Sequence, residues 1–201
     1  MSDERAYWDE QYRTGEFDPP EIPSPLLEEI VNLLPEGRAL DIATGTGRNA
    51  LFLAEQGYAV DAIDISEEAL ATARDRAAER SLEVDWIRAD LLDYEFPERA
   101  YDVVMVDFYT AFDRLPDIKD ALAPDGVLLY EHHLRSTDPI ECGPEGDRYR
   151  FRSNDLLHAC LDLTVLRYEE TTRTVDGRTA AVVALVARNS AGGAQRYPEF
   201  P

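Results

Sequence analysis

Residues 38–66, RALDIATGTGRNALFLAEQGYAVDAIDIS, constrain the fold more than any other part of the chain. A short apolar strand runs into a turn with two glycines one residue apart, Gly45 and Gly47. A helix opens directly from that turn, and a second apolar strand then ends on an acid, Asp64. Two strands joined through a helix pair in parallel, and a parallel sheet needs helices on both faces. Further strand candidates at 83–87, 101–106 and 127–132 repeat the pattern, with helices expected over 48–56, 67–80 and 114–122. The class is therefore α/β, a doubly wound and mostly parallel sheet. The last third changes character. A short helix at 154–160 leads into two long runs separated by Asp176-Gly177, a strong hairpin signal, so the sheet closes with an antiparallel pair.

Ahead of this unit, an amphipathic segment carries Tyr7, Trp8 and Tyr12 and ends near Gly15. FDPPEIPSP follows, whose four prolines in nine residues exclude a helix. Ser24 is expected to cap the next helix, with Pro25 at its first position and Leu26, Leu27, Ile30, Val31 and Leu34 facing inward. One domain over 1–188 accounts for the chain. Residues 1–34 form its N-terminal helical part, and 189–201 form a Gly/Pro-rich, loosely held tail.

Charge narrows the partners. The chain has 41 acidic and 20 basic residues, a net charge of −21, and Lys119 is its only lysine. A nucleic-acid binder presents a basic patch, and the only arginine-dense stretch here, GDRYRFRS, is short. Nucleic acid is not the expected partner. No apolar run spans a bilayer, and the acidic start lacks the basic and apolar regions of a secretory signal, so the cytoplasm is expected. The composition resembles that of halophilic archaeal proteins, since at molar salt a Debye length of about 3 Å screens the self-repulsion of such a surface. Cys142 and Cys160 have neither disulfide-framework nor metal-pair spacing, and no metal is expected.

The glycine turn and Asp64 suit the phosphates and ribose of a dinucleotide or another nucleoside cofactor alike. Asp41, inside the first strand near its mouth, suits an ammonium group, which S-adenosylmethionine presents and NAD does not. LDIATGTGRN, AIDIS and ALAPDGVLLYE together resemble the class I S-adenosylmethionine-dependent methyltransferases. YWDEQYRTGEF, the Pro-Ser-Pro segment, GPEGDRYRF and DLTVLRYEE are similar, more narrowly, to the small tellurite-resistance-type members. The resemblance implies a Rossmann-like sheet of about seven strands and S-adenosylmethionine as cofactor, with S-adenosylhomocysteine as product. It assigns Asp41 to the methionine end and Ala43, Gly45, Gly47 and Asn49 to the loop. Asp64 takes the ribose hydroxyls, Ile65 packs on the adenine, Asp90 and Leu91 hold its edge, and Asp107 faces the reactive end. It also makes Trp8 and Tyr12 a lid.

Each assignment has a plainer counterpart. Trp8 and Tyr12 also fit a helix core, Asp90 a turn cap, and His132 and His133 structural roles, since alternation sends them to opposite faces. Asp107, Tyr109, His132 and His133 sit where open sheets bind ligands and are the candidate catalytic groups. Arg135, with Arg148, Arg150 and Arg152, would suit an anionic acceptor or merely neutralise nearby acids. The expected partner is a small molecule, met by a monomer or homodimer. An NAD(P)-dependent oxidoreductase would explain the glycines and Asp64 but not Asp41. A cofactor-binding regulator without turnover would keep every feature.

Overall fold

A computed structural model describes residues 2–175, 177–190 and 194–201. Seven strands form one sheet: β1 (Arg38–Ile42), β2 (Ala59–Asp64), β3 (Asp85–Arg88), β4 (Tyr101–Asp107), β5 (Leu122–His133), β6 (Thr164–Val175) and β7 (Arg178–Arg188). Their order is β3-β2-β1-β4-β5-β7-β6, with the first five parallel and β7 antiparallel to both neighbours. The strand order reverses at β1, which places a crevice at the carboxyl ends of β1 and β4. Among the described residues, six α-helices accompany the sheet: α1 (Ser2–Thr14), α2 (Pro25–Ile30), α3 (Arg48–Glu55), α4 (Glu67–Arg80), α5 (Leu115–Asp120) and α6 (Asp155–Ala159). Among the described residues, none is long and apolar enough to cross a membrane.

Alternation along the strands makes two cores. Val103, Met105, Leu129 and Val186 pack with Leu26, Leu27 and Ile30 of α2 and Ala50 and Leu53 of α3. Leu40, Ile42, Val104, Leu128 and Tyr130 pack on the other face with Leu115 and Ile118 of α5 and Leu156 of α6. Below the crevice, at the opposite end of the strands, Asp61 is buried. Its Oδ2 accepts hydrogen bonds from the Tyr101 hydroxyl at 2.6 Å and from Arg38 at 2.7 Å, so a buried charge within the strand is paired.

Several elements differ from the sequence expectation. Ser24 precedes α2, but its hydroxyl makes no cap bond and is buried without a partner. Its backbone N–H instead donates to Asn49 Oδ1 at 2.8 Å, which ties the approach to α2 onto α3. The helix expected over 114–122 is a 3₁₀ turn at Phe112–Arg114 followed by the short α5. Leu122 already belongs to β5, because the β4–β5 ladder pairs Tyr101 with Leu122 before an irregularity resets the register at Val103–Val127. Lys119 of α5 reaches the Ala159 carbonyl at 2.9 Å and Asp162 at 2.7 Å. The tail expected to be loose is held from its first residues, where Asn189 donates to the Leu122 and Ala123 carbonyls and Ser190 meets Thr164, to its end. Arg188 donates to the Arg196 carbonyl at 2.8 Å, and Phe200 packs against the core beneath the Arg167 guanidinium. The pair Val175–Arg178 closes the β6–β7 hairpin, and Asp176 of the expected turn lies outside the described residues.

Candidate active site

Ile42 lies beside Ile63 and Val106, and Asp107 beside Glu131. One step past Ile42, therefore, Asp64, Asp107 and Glu131 stand at one level on one face, with Asp41 two residues deeper between them. Four carboxylates face the crevice, and each is held differently.

The β1–α3 turn takes left-handed backbone at Ala43, Gly45 and Gly47, with φ of 56°, 56° and 84°. Gly47 needs its missing side chain, since a Cβ there would lie 2.8 Å from Trp86 and 3.0 Å from Ala73. Asp41 staples the turn from beneath, accepting from Thr44 Oγ1 at 2.5 Å and from the Ala50 N–H at 3.1 Å. Burial, with Asp107 adding to it, raises its pKa to about 7. Asp64 accepts from Gly45 N–H at 2.7 Å and Ser66 N–H at 2.9 Å, one on each oxygen, and burial raises its pKa as well. The Ile65 N–H also acts on this carboxylate, and a carboxylate's two oxygens offer about four acceptor sites, which leaves capacity for a diol. Asp90 caps its own turn, accepting from Leu92 N–H at 3.0 Å, while Leu91 is buried beside it and Ile65 is half-buried. Arg114 fixes this loop by donating to the carbonyls of Leu91, Leu92 and Tyr94.

Helix α1 lies over this corner. Trp8, Tyr12 and Phe17 form an aromatic cluster with ring centroids 5.4–6.2 Å apart. The Tyr12 hydroxyl lies 2.7 Å from where a Cβ on Gly45 would stand. Burial and the nearby Asp64 raise its pKa. Tyr109 sits within the field of Glu4, Asp90 and Asp64, and its hydroxyl is pushed up to about 12, mainly by burial.

Toward β5 the arrangement changes. Asp107 Oδ2 pairs closely with Arg48 and accepts from Asn49 at 3.1 Å, whereas Oδ1 is buried without a partner. Glu131 is buried and receives Arg173 of β6 at 2.8 Å. Phe108, whose φ of 55° is rare for a bulky residue, stacks on His133 at 4.5 Å. A Cβ on Gly143 would strike the His133 ring at 2.7 Å, so the 134–150 segment lies directly against it. His133 Nδ1 is buried and unpartnered, and burial with His132 and Arg150 lowers its pKa to about 4.

Residues 39–126 match the family model described as a methyltransferase domain. A demethylmenaquinone methyltransferase from Thermus thermophilus is 39% identical over 99 residues, 46% of this chain and 45% of that protein. The chain spans about half the length of the curated relatives it matches. TehB from Haemophilus influenzae superposes with a TM-score of 0.72 at 21% identity, covering 90% of this chain and 67% of that one. A SAM-dependent methyltransferase from Methanosarcina mazei gives 0.68 at 16%, covering 84% and 99%. This is a methyltransferase fold.

Within the methyltransferase fold, Asp41, Ala43, Gly45, Gly47, Asn49, Asp64 and Asp107 gather at the crevice around β1, and Tyr12 reaches it from above. Asp41 is 1% exposed and its Oδ2 is spent on the turn, so its visible role is to hold the loop. His132 does not join the group. It points to the opposite face, 4.3 Å from Phe151, with Nε2 at 3.0 Å from the Tyr149 carbonyl and 3.1 Å from Thr110 Oγ1, so it is a structural histidine. Arg135 is likewise committed elsewhere, donating to the carbonyls of Asp147 and Arg150. The Glu131–Arg173 pair and Arg114 were missed from sequence. Glu131 had a signal, an acid continuing the inward positions Val127 and Leu129, whereas Arg173 on an edge strand had none.

Proposed function

We propose that the chain transfers a methyl group from S-adenosylmethionine to a small-molecule acceptor. The observation that carries this is Asp64, fixed at the end of β2 by the backbone N–H groups of Gly45 and Ser66, beside a turn that takes left-handed backbone at Ala43, Gly45 and Gly47. Asp64 would take the ribose hydroxyls, the turn from Ala43 to Asn49 the methionine side, and Ile65, Asp90 and Leu91 the adenine. The bound cofactor supplies an electrophilic methyl carbon on a sulfonium.

The remaining work is positioning and exclusion of water. Trp8 and Tyr12 cover the cofactor side as a lid, with residues 1–34 as its body. Asp107, Phe108, Tyr109 and His133 border the acceptor side. His133 is neutral throughout the physiological range, which makes it a hydrogen-bonding partner and a poor base. The free cysteines fit a cytoplasmic enzyme, and the acidic composition fits one adapted to high salt.

Calorimetry tests the cofactor: S-adenosylhomocysteine binds and NADH does not, and the reverse result would overturn the proposal. Urea unfolding across KCl concentrations tests the salt reading, with a midpoint that rises toward molar KCl as the expected result.

A further inference from the structure

We propose that Asp9 is a positioning residue that latches helix α1 across the cofactor seat, so that closing the helix and holding the cofactor become one event. Asp9 Oδ1 accepts from Ser66 Oγ at 2.8 Å, from Glu67 N–H at 2.8 Å and, more weakly, from Glu68 N–H at 3.4 Å. Its other oxygen lies 3.5 Å from Arg88 at the end of β3. The first N–H groups of a helix have no partner within it. In α4 they are shared between two elements: Ser66 Oγ accepts from Ala69 N–H at 3.2 Å while its hydroxyl donates to Asp9, and Asp9 accepts from the N–H groups of Glu67 and Glu68 before it. A carboxylate at a helix N-terminus is favoured by the helix dipole too.

The latch is wired to the seat. Ser66, bonded to Asp9 through its side chain, donates its N–H to Asp64, and Asp64's other oxygen takes the N–H of Gly45. Tyr12 stands three residues beyond Asp9 on the same side of α1 and reaches Gly45 from above. Asp9 thus grips one rim of the seat, the β2–α4 corner, while Tyr12 covers the other, the β1–α3 turn. A ligand seated against Asp64 and the β1–α3 turn lies under the bridge that Asp9 and Tyr12 make, and its escape requires Asp9 to release α4.

This rests on the proposal that the seat takes S-adenosylmethionine, and the experiment separates the two. Calorimetry with S-adenosylhomocysteine and amide hydrogen exchange over residues 2–14 are measured for wild type, Asp9→Ala, Asp9→Asn and Tyr12→Ala. In Asp9→Ala the Kd rises about 10-fold and α1 loses its protection. Asp9→Asn keeps a carbonyl oxygen for Ser66 and Glu67 and stays within about 3-fold of wild type. Tyr12→Ala weakens binding without touching the α4 terminus, which separates loss of the cover from loss of the cap. Wild-type affinity and exchange in Asp9→Ala would overturn the latch. If wild type binds no S-adenosylhomocysteine, the cofactor proposal fails, and α1 exchange in Asp9→Ala still decides whether Asp9 fastens the helix.

Discussion

The two halves of the crevice are built by different means. On the β1–β2 side the carboxylates of Asp41 and Asp64 are met mainly by backbone N–H groups, those of Ala50, Gly45 and Ser66. On the β4–β5 side Asp107 and Glu131 are met by side chains, Arg48, Asn49 and Arg173. That side also leaves Asp107 Oδ1 and His133 Nδ1 buried without partners. Backbone donors are fixed by the course of the chain and suit a ligand that does not vary. Side-chain partners can be exchanged without moving a strand, which suits the half proposed to meet the acceptor.

This contrast can be broken most severely at Asp64. Asp64→Ala removes two charge-assisted bonds to a diol and should weaken S-adenosylhomocysteine by about 100-fold or more in calorimetry. A Kd within a few-fold of wild type would remove Asp64 from the cofactor side. Asp41 sharpens the same half through pH. Its folded pKa of about 7 lies above its unfolded value, so the folded state holds the proton longer, and this group's contribution to stability declines as pH rises through that window. Asp41→Asn keeps acceptors for Thr44 and Ala50 and abolishes that decline. Urea unfolding at pH 8 should then show a variant more stable than wild type by roughly 2–4 kcal/mol, with the gain absent at pH 4.

On the other half, Arg173→Met strands the buried Glu131 carboxylate and should cost roughly 1–3 kcal/mol in urea unfolding, discounted because Arg173 is partly exposed. Adding Glu131→Gln should restore most of that loss. The smallest effect is expected at His133. His133→Asn should leave S-adenosylhomocysteine affinity unchanged and lower turnover of an acceptor by about 10-fold, roughly the value of one hydrogen bond. A changed cofactor Kd would show that the halves are not separate.

The same contrast explains what could be read from sequence. Backbone-built features leave spacing signals: a strand, two glycines and an acid at the end of the next strand located Asp41, Gly45, Gly47 and Asp64, and the strand–helix alternation located most of the sheet. Side-chain partnerships leave none, because Arg173 reaches Glu131 across β7 and Asn49 reaches Ser24 across 25 residues of chain. Alternation did separate His132 from His133, but choosing between them required knowing which face of β5 carries the crevice. Arg135 read as a partner for an anionic acceptor or for nearby acids, because nothing in sequence shows that its guanidinium folds its own loop. Helix 114–122 was overextended because the apolar Ala121 and Leu122 continue the helical period although the β4 ladder claims Leu122.

Lys119 carries a practical consequence. With one lysine in the whole sequence, largely covered and bound to Ala159 and Asp162, amine-reactive reagents meet a single lysine side chain, at the α5–α6 corner. The rate at which Lys119 is acylated is therefore a built-in clock for local opening of that corner, which can be read without introducing any probe.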